Sequence, residues 1–136
     1  MKLLLTKKFT FEMAHALDGY NGKCANLHGH SYHLEVTIES NSLDADGMAM
    51  DFGSIKKTVQ NTIVDRFDHA LVLKEDSTLG TFNAPLPNMI KVPFNPTTEN
   101  LLIHFAELLM PMMPEGVRLY SLRLAETDTS IAELVL

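Results

Sequence analysis

An α+β fold with an antiparallel sheet and helices on one face is what this chain of 136 residues predicts. Three observations carry that reading: two-residue alternation at both ends of the chain, two central stretches with helical spacing, and the order β, β, β, α, α, β, β. The length makes residues 1–136 a single domain, with enough apolar material for a core without disulfides.

From Leu3 to His15 the odd positions Leu3, Leu5, Phe9, Phe11 and Met13 are apolar and end on His15, while Thr6, Lys8, Thr10 and Glu12 occupy even ones, which predicts a strand. Asp18-Gly19-Tyr20-Asn21-Gly22 reads as a loop leading to Cys24. A second strand carries His28, His30, Tyr32, Leu34, Val36 and Ile38 on one face, with His33, Glu35, Thr37 and Glu39 on the other. Asp44-Ala45-Asp46-Gly47 predicts a turn, followed by a short strand at Met48–Met50 and a helix capped by Asp51. Its stripe is Phe52, Ile55, Val59, Ile63 and Phe67, and it ends close to Asp68-His69.

Residues 73–96 contain five of the glycines and prolines and predict an extended loop with one short strand at Met89–Val92. Thr97 or Thr98 caps a second helix containing Leu101, Leu102, Phe105, Leu108, Leu109 and Met112, ended by Pro111 and Pro114. The last two strands are Val117–Thr127, with Tyr120, Leu122, Leu124 and Glu126 on one face, and Ile131–Leu136.

A formal charge of −6 disfavours a nucleic-acid surface and points to a small ligand. No apolar run could span a bilayer, and Thr6, Lys7 and Lys8 cut the opening Met1–Leu5 stretch far short of a signal peptide. A single cysteine excludes an intramolecular disulfide and suits a reducing compartment, so the expected location is the cytoplasm.

His28 and His30, two apart on an apolar strand face, could point at one ion, and His15 is the nearest third nitrogen. Imidazole favours zinc over hard cations. Cys24 is open to three readings: a fourth ligand, an inert thiol, or a nucleophile or base activated by His69 with Asp68 orienting it. Glu126, ending an apolar row, is either at the rim or aimed at a ligand. His33 and His104 read as structural; Lys7, Lys23, Arg118 and Arg123 could meet an anionic substrate.

Six motifs in order, Phe11-Glu12-Met13-Ala14-His15, Lys23–His30 (KCANLHGH), Met50-Asp51-Phe52, Phe67-Asp68-His69, Pro96–Leu101 (PTTENL) and Ala125-Glu126-Thr127, resemble the 6-pyruvoyltetrahydropterin synthase family over nearly the whole chain. The three residues between Cys24 and His28 resemble its bacterial 6-carboxy-5,6,7,8-tetrahydropterin synthase branch, which acts in queuosine precursor biosynthesis. The resemblance implies the tunnelling fold: an antiparallel four-stranded sheet with two helices, forming a barrel in a homo-oligomer (tetramer or hexamer) with active sites between subunits. It implies zinc on His15, His28 and His30, with the metal acidifying a substrate C–H. Cys24 then corresponds to the general base, Asp68 and His69 to its activating pair, and Glu126 to the pterin anchor. Thr127 assists Glu126, and Glu99 either joins it or only serves the helix dipole. The implied reaction converts 7,8-dihydroneopterin triphosphate into 6-carboxy-5,6,7,8-tetrahydropterin, acetaldehyde and triphosphate. The alternatives are triphosphate elimination to a pyruvoyl product, and a non-catalytic zinc- or pterin-binding module.

Overall fold

The computed structural model describes residues 1–80 and 86–136. Strand β1 (Leu3–His15) pairs antiparallel with β2 (His28–Ser40), Leu3 opposite Ser40 and His15 opposite His28. Helix α1 (Phe52–Val59) opens on Asp51, whose side chain accepts from Ser54 N–H, and continues through a π-helical stretch (Gln60–Val64) to a last turn (Asp65–Phe67). Then come β3 (Ala70–Lys74), β4 (Met89–Val92), α2 (Thr98–Leu109), β5 (Val117–Thr127) and β6 (Ser130–Val135).

The sheet has six strands in the order β4-β3-β1-β2-β5-β6, and β1, β3 and β4 run parallel. The expected four-stranded antiparallel sheet is thus corrected to a six-stranded mixed one. The reason lies in Ala70-Leu71-Val72-Leu73, an apolar run without alternation, typical of parallel strands and hard to distinguish from other short apolar runs. The expected loop therefore begins inside β3; its portion at residues 81–85, including Pro85, lies outside the described residues.

The odd positions of β1 and even positions of β2 turn toward both helices, so one core holds Phe11, Tyr32, Leu34, Ile63, Phe67, Leu101, Leu102 and Phe105. Phe11 stacks on Tyr32 with centroids 5.3 Å apart, and Phe105 meets Phe67 edge-on at 5.0 Å. The opposite face is polar, as expected of an antiparallel sheet with one wet side: Thr6 meets Thr37, and Glu35 pairs with Lys8 and Arg123.

Three further expectations are corrected. Met48–Met50 is not a strand: Asp44 Oδ1 accepts from Asp46 and Met48 N–H, and Gly47 at φ +80° closes the turn. Phe52 leaves the buried stripe and is half exposed. In β5 a bulge opposite Thr37 and Ile38 inserts Tyr120, so the buried row is Leu119, Leu122 and Leu124. Tyr120 lies instead under the Lys2 and Arg118 cations.

Candidate metal and active site

His15, the last residue of β1, faces His28, the first of β2, across the ladder, and His30 follows on the same face. His15 Nδ1 lies 2.7 Å from the Pro96 carbonyl, and His28 Nδ1 lies 2.7 Å from the Asn26 carbonyl. A carbonyl only accepts, so both Nδ1 atoms carry the proton and donate, leaving each Nε2 with a lone pair when the ring is neutral. These Nε2 atoms lie 3.0 Å apart, and His30 Nε2 is buried with no hydrogen-bond partner among the described residues. One ligand atom from each of the three residues lies within 4.8 Å of the others, so the group could hold a metal ion. Two opposed lone pairs and an orphaned third nitrogen fit a cation, with Pro96 and Asn26 supplying the outer partners that orient metal-binding imidazoles.

Burial holds the His15 and His30 rings below the ordinary imidazole value, further lowered by neighbouring histidines, while Glu126 pulls the other way. Tyr32 lies under this group, its hydroxyl 3.5 Å from His15 Nδ1, and burial pushes its phenol well above the usual range.

Glu126 Oε2 accepts from the Thr98 hydroxyl at 3.0 Å and stands 3.8 Å from His30 Nε2. Its carboxylate borders a recess of about 290 Å³ lined also by Thr98, Glu99, Thr129 and Ser130. Thr97 caps α2 by accepting from Asn100 N–H, which frees the Thr98 hydroxyl for Glu126. Thr127 is exposed, and its hydroxyl accepts from Thr129 N–H in the β5–β6 turn.

Cys24 is half-buried in a short 3-10 turn, Lys23–Ala25, just before β2. Asp68 Oδ1 accepts from Glu12 N–H at 2.9 Å and from His69 Nδ1 at 3.0 Å. The Glu12 bond, followed by the His69 contact, holds the Asp68 carboxyl below the usual carboxylate range. His69 has φ +61°, the one positive value at a described non-glycine residue, and its N–H donates to the Glu12 carbonyl. Its exposed ring borders a recess of about 340 Å³ with Glu12, Ala14, Gly29 and Ser31, whose strand parity puts them on the face opposite the histidine triad, and with Met13, His30 and Ala70. Among the described residues no hydrogen bond or ion pair joins Cys24 Sγ to His69.

A family model described as 6-pyruvoyl tetrahydropterin synthase matches residues 4–135. The chain belongs to this family. Relatives named 6-carboxy-5,6,7,8-tetrahydropterin synthase from Haemophilus influenzae and Rickettsia felis are 36% and 34% identical, over 95% of this chain and 96% and 97% of theirs. The fold matches the solved 6-pyruvoyl tetrahydropterin synthase of Caenorhabditis elegans with a TM-score of 0.75, at 24% identity, over all of this chain and 96% of that one. In this family frame the strand-parity reading brought the three histidines together. It missed Thr98 and Pro96, whose polar groups reach the site from a segment distant in sequence. For Thr98 a signal was present, the second of two adjacent threonines left over once one caps the helix. Glu99, in the first turn of α2, borders the same recess as Glu126. Arg118 and Arg123 are engaged by Glu39 and Glu35, and His104 packs among Phe67, Phe94 and Phe105. No described helix is long and apolar enough to cross a membrane.

Proposed function

We propose that this family member converts 7,8-dihydroneopterin triphosphate into 6-carboxy-5,6,7,8-tetrahydropterin, acetaldehyde and triphosphate, toward the queuosine precursor. The observation that carries the reading is the convergence of three imidazoles beside Glu126, in a chain whose relatives bear the carboxypterin synthase name over nearly their full length. Zinc is the metal proposed for His15, His28 and His30, since three neutral imidazoles with an open fourth position are a donor set suited to catalytic zinc. When bound, it supplies Lewis acidity toward an oxygen of the substrate side chain.

Glu126 accepts the paired N–H groups of the pterin edge, and the Thr98 hydroxyl holds the carboxylate in one rotamer for that two-point contact. Cys24 takes the side-chain proton as thiolate, and His69, its Nδ1–H fixed on Asp68, exchanges protons with that thiol through Nε2. Two facts support a site shared between subunits: His69 borders a recess lined in large part by residues of the sheet face away from the triad, and β4 and β6 end the sheet as edge strands with no further strand beside them among the described residues. On this reading His69 of one protomer serves the Cys24 of its partner within a homo-oligomer.

The test is to incubate zinc-loaded protein with 7,8-dihydroneopterin triphosphate and identify the products. Acetaldehyde with a carboxypterin is expected; a pyruvoyl product or unchanged substrate overturns the reading. Replacing Cys24 by Ala should cut turnover by roughly 10²-fold or more while zinc content stays. Loss of zinc would make Cys24 a ligand instead.

A further inference from the structure

The Lys23–Ala25 turn that carries Cys24 contains no buried residue and no side-chain cap at its start. On its far side it is held by the His28 ring, which donates to the Asn26 carbonyl. On its near side Leu17 N–H donates to the Cys24 carbonyl at 2.9 Å, closing an exposed loop that includes Gly19 at φ +73° and Gly22. Two residues hold that loop to the body of the protein: Ser77, whose hydroxyl donates to Asp18 Oδ1 at 3.0 Å, and Asn95. Its side-chain amide grips the main chain of Asp18 in both directions: Asp18 N–H donates to Oδ1 at 3.1 Å, and Nδ2 donates to the Asp18 carbonyl at 3.0 Å.

Asn95 is itself fixed to the start of α2. Its carbonyl accepts from Thr97 N–H at 2.8 Å and from Asn100 Nδ2 at 2.9 Å. The next residue, Pro96, offers the carbonyl that orients His15. One rigid segment therefore sets the direction of a triad imidazole and, through Asp18 and Leu17, the position of the cysteine turn. A two-point clasp on main-chain groups resists both sliding and rotation, as a single hydrogen bond does not.

We propose that Asn95 is the positioning residue that holds Cys24 in register with the histidine triad. Its catalytic consequence rests on the proposed role of Cys24 as base; its structural consequence does not. A thiol displaced by about 1 Å from its working place loses on the order of 10²-fold in rate.

The experiment compares zinc-loaded full-length wild type with Asn95→Ala, Asn95→Asp and Asp18→Ala. It follows Cys24 alkylation by iodoacetamide, kcat and KM, zinc content and melting temperature. Asn95→Ala should speed alkylation roughly fivefold and lower kcat at least about tenfold, with KM within about threefold and zinc retained. Asn95→Asp keeps the acceptor for Asp18 N–H but loses the donor, and should fall between. Asp18→Ala removes the Ser77 hydrogen bond but leaves the main chain that Asn95 clasps, and should have a clearly smaller effect than Asn95→Ala. Should Asn95→Ala not fold, Asn95→Asp against Asp18→Ala decides. Alkylation at the wild-type rate in the Asn95 variants, or equal effects from Asp18→Ala, overturns the proposal. Undiminished turnover in Cys24→Ala would instead sink the base assignment while the alkylation rates still judge the clasp.

Discussion

Zinc should raise the melting temperature of this protein, and acid should erase the gain. His15 and His28 direct Nε2 lone pairs at each other across 3.0 Å, and His30 Nε2 is buried with no hydrogen-bond partner among the described residues, so a cation relieves all three at once. A metal that binds only the folded chain, held at 100 times its Kd, stabilises by about 2.7 kcal/mol. An unfolding entropy of about 2.1 cal/mol/K per residue, applied to 136 residues, turns this into a rise of about 9 °C. Burial lowers His15 and His30 from the ordinary 6.5, so as pH falls the unfolded chain takes up their protons first. Their contribution to stability is complete above about pH 6.5 and is lost as pH drops through the folded values, and zinc leaves in the same direction because its ligands must be neutral. Scanning calorimetry with zinc or EDTA at pH 7.5 and 5.0, on wild type and His30→Ala, measures both effects. An equal zinc-induced rise in His30→Ala, or a larger rise at pH 5.0, would refute the reasoning.

Thr98→Val removes the hydroxyl that donates to Glu126 while keeping its shape, and should weaken binding of a pterin analogue roughly tenfold in a titration, with zinc content unchanged. Phe105→Ala empties a fully buried site between Phe11 and Phe67 and should cost about 3–5 kcal/mol by urea unfolding, whereas Phe52→Ala, half exposed, should cost far less. Arg118, then Lys2, holds the Glu39 carboxyl below its ordinary 4.5, so its contribution is present above that pH and is lost as pH falls through the folded value. Glu39→Gln should therefore flatten the acid limb of a melting-temperature profile below about pH 5; an unchanged limb counts against that ion pair.

Strand parity and helix spacing are local properties, and wherever one face is buried they survive folding: β1, β2, both helices and the common face of His15, His28 and His30 were legible for that reason. β3 was not, because a strand buried in parallel pairing has no polar alternation to announce it. Tyr120 misled because a bulge shifts every later residue by one face, and a bulge depends on the neighbouring strand. Residue types alone thus determined β1, β2, β5, β6, both helices, the triad's shared face and the family. Tertiary structure decided what holds those groups in place, the Pro96 carbonyl on His15, the Thr98 hydroxyl on Glu126 and the Asn95 clasp on the cysteine loop. Such hydrogen bonds join residues 28 to 81 positions apart, where no periodicity along the chain can register them.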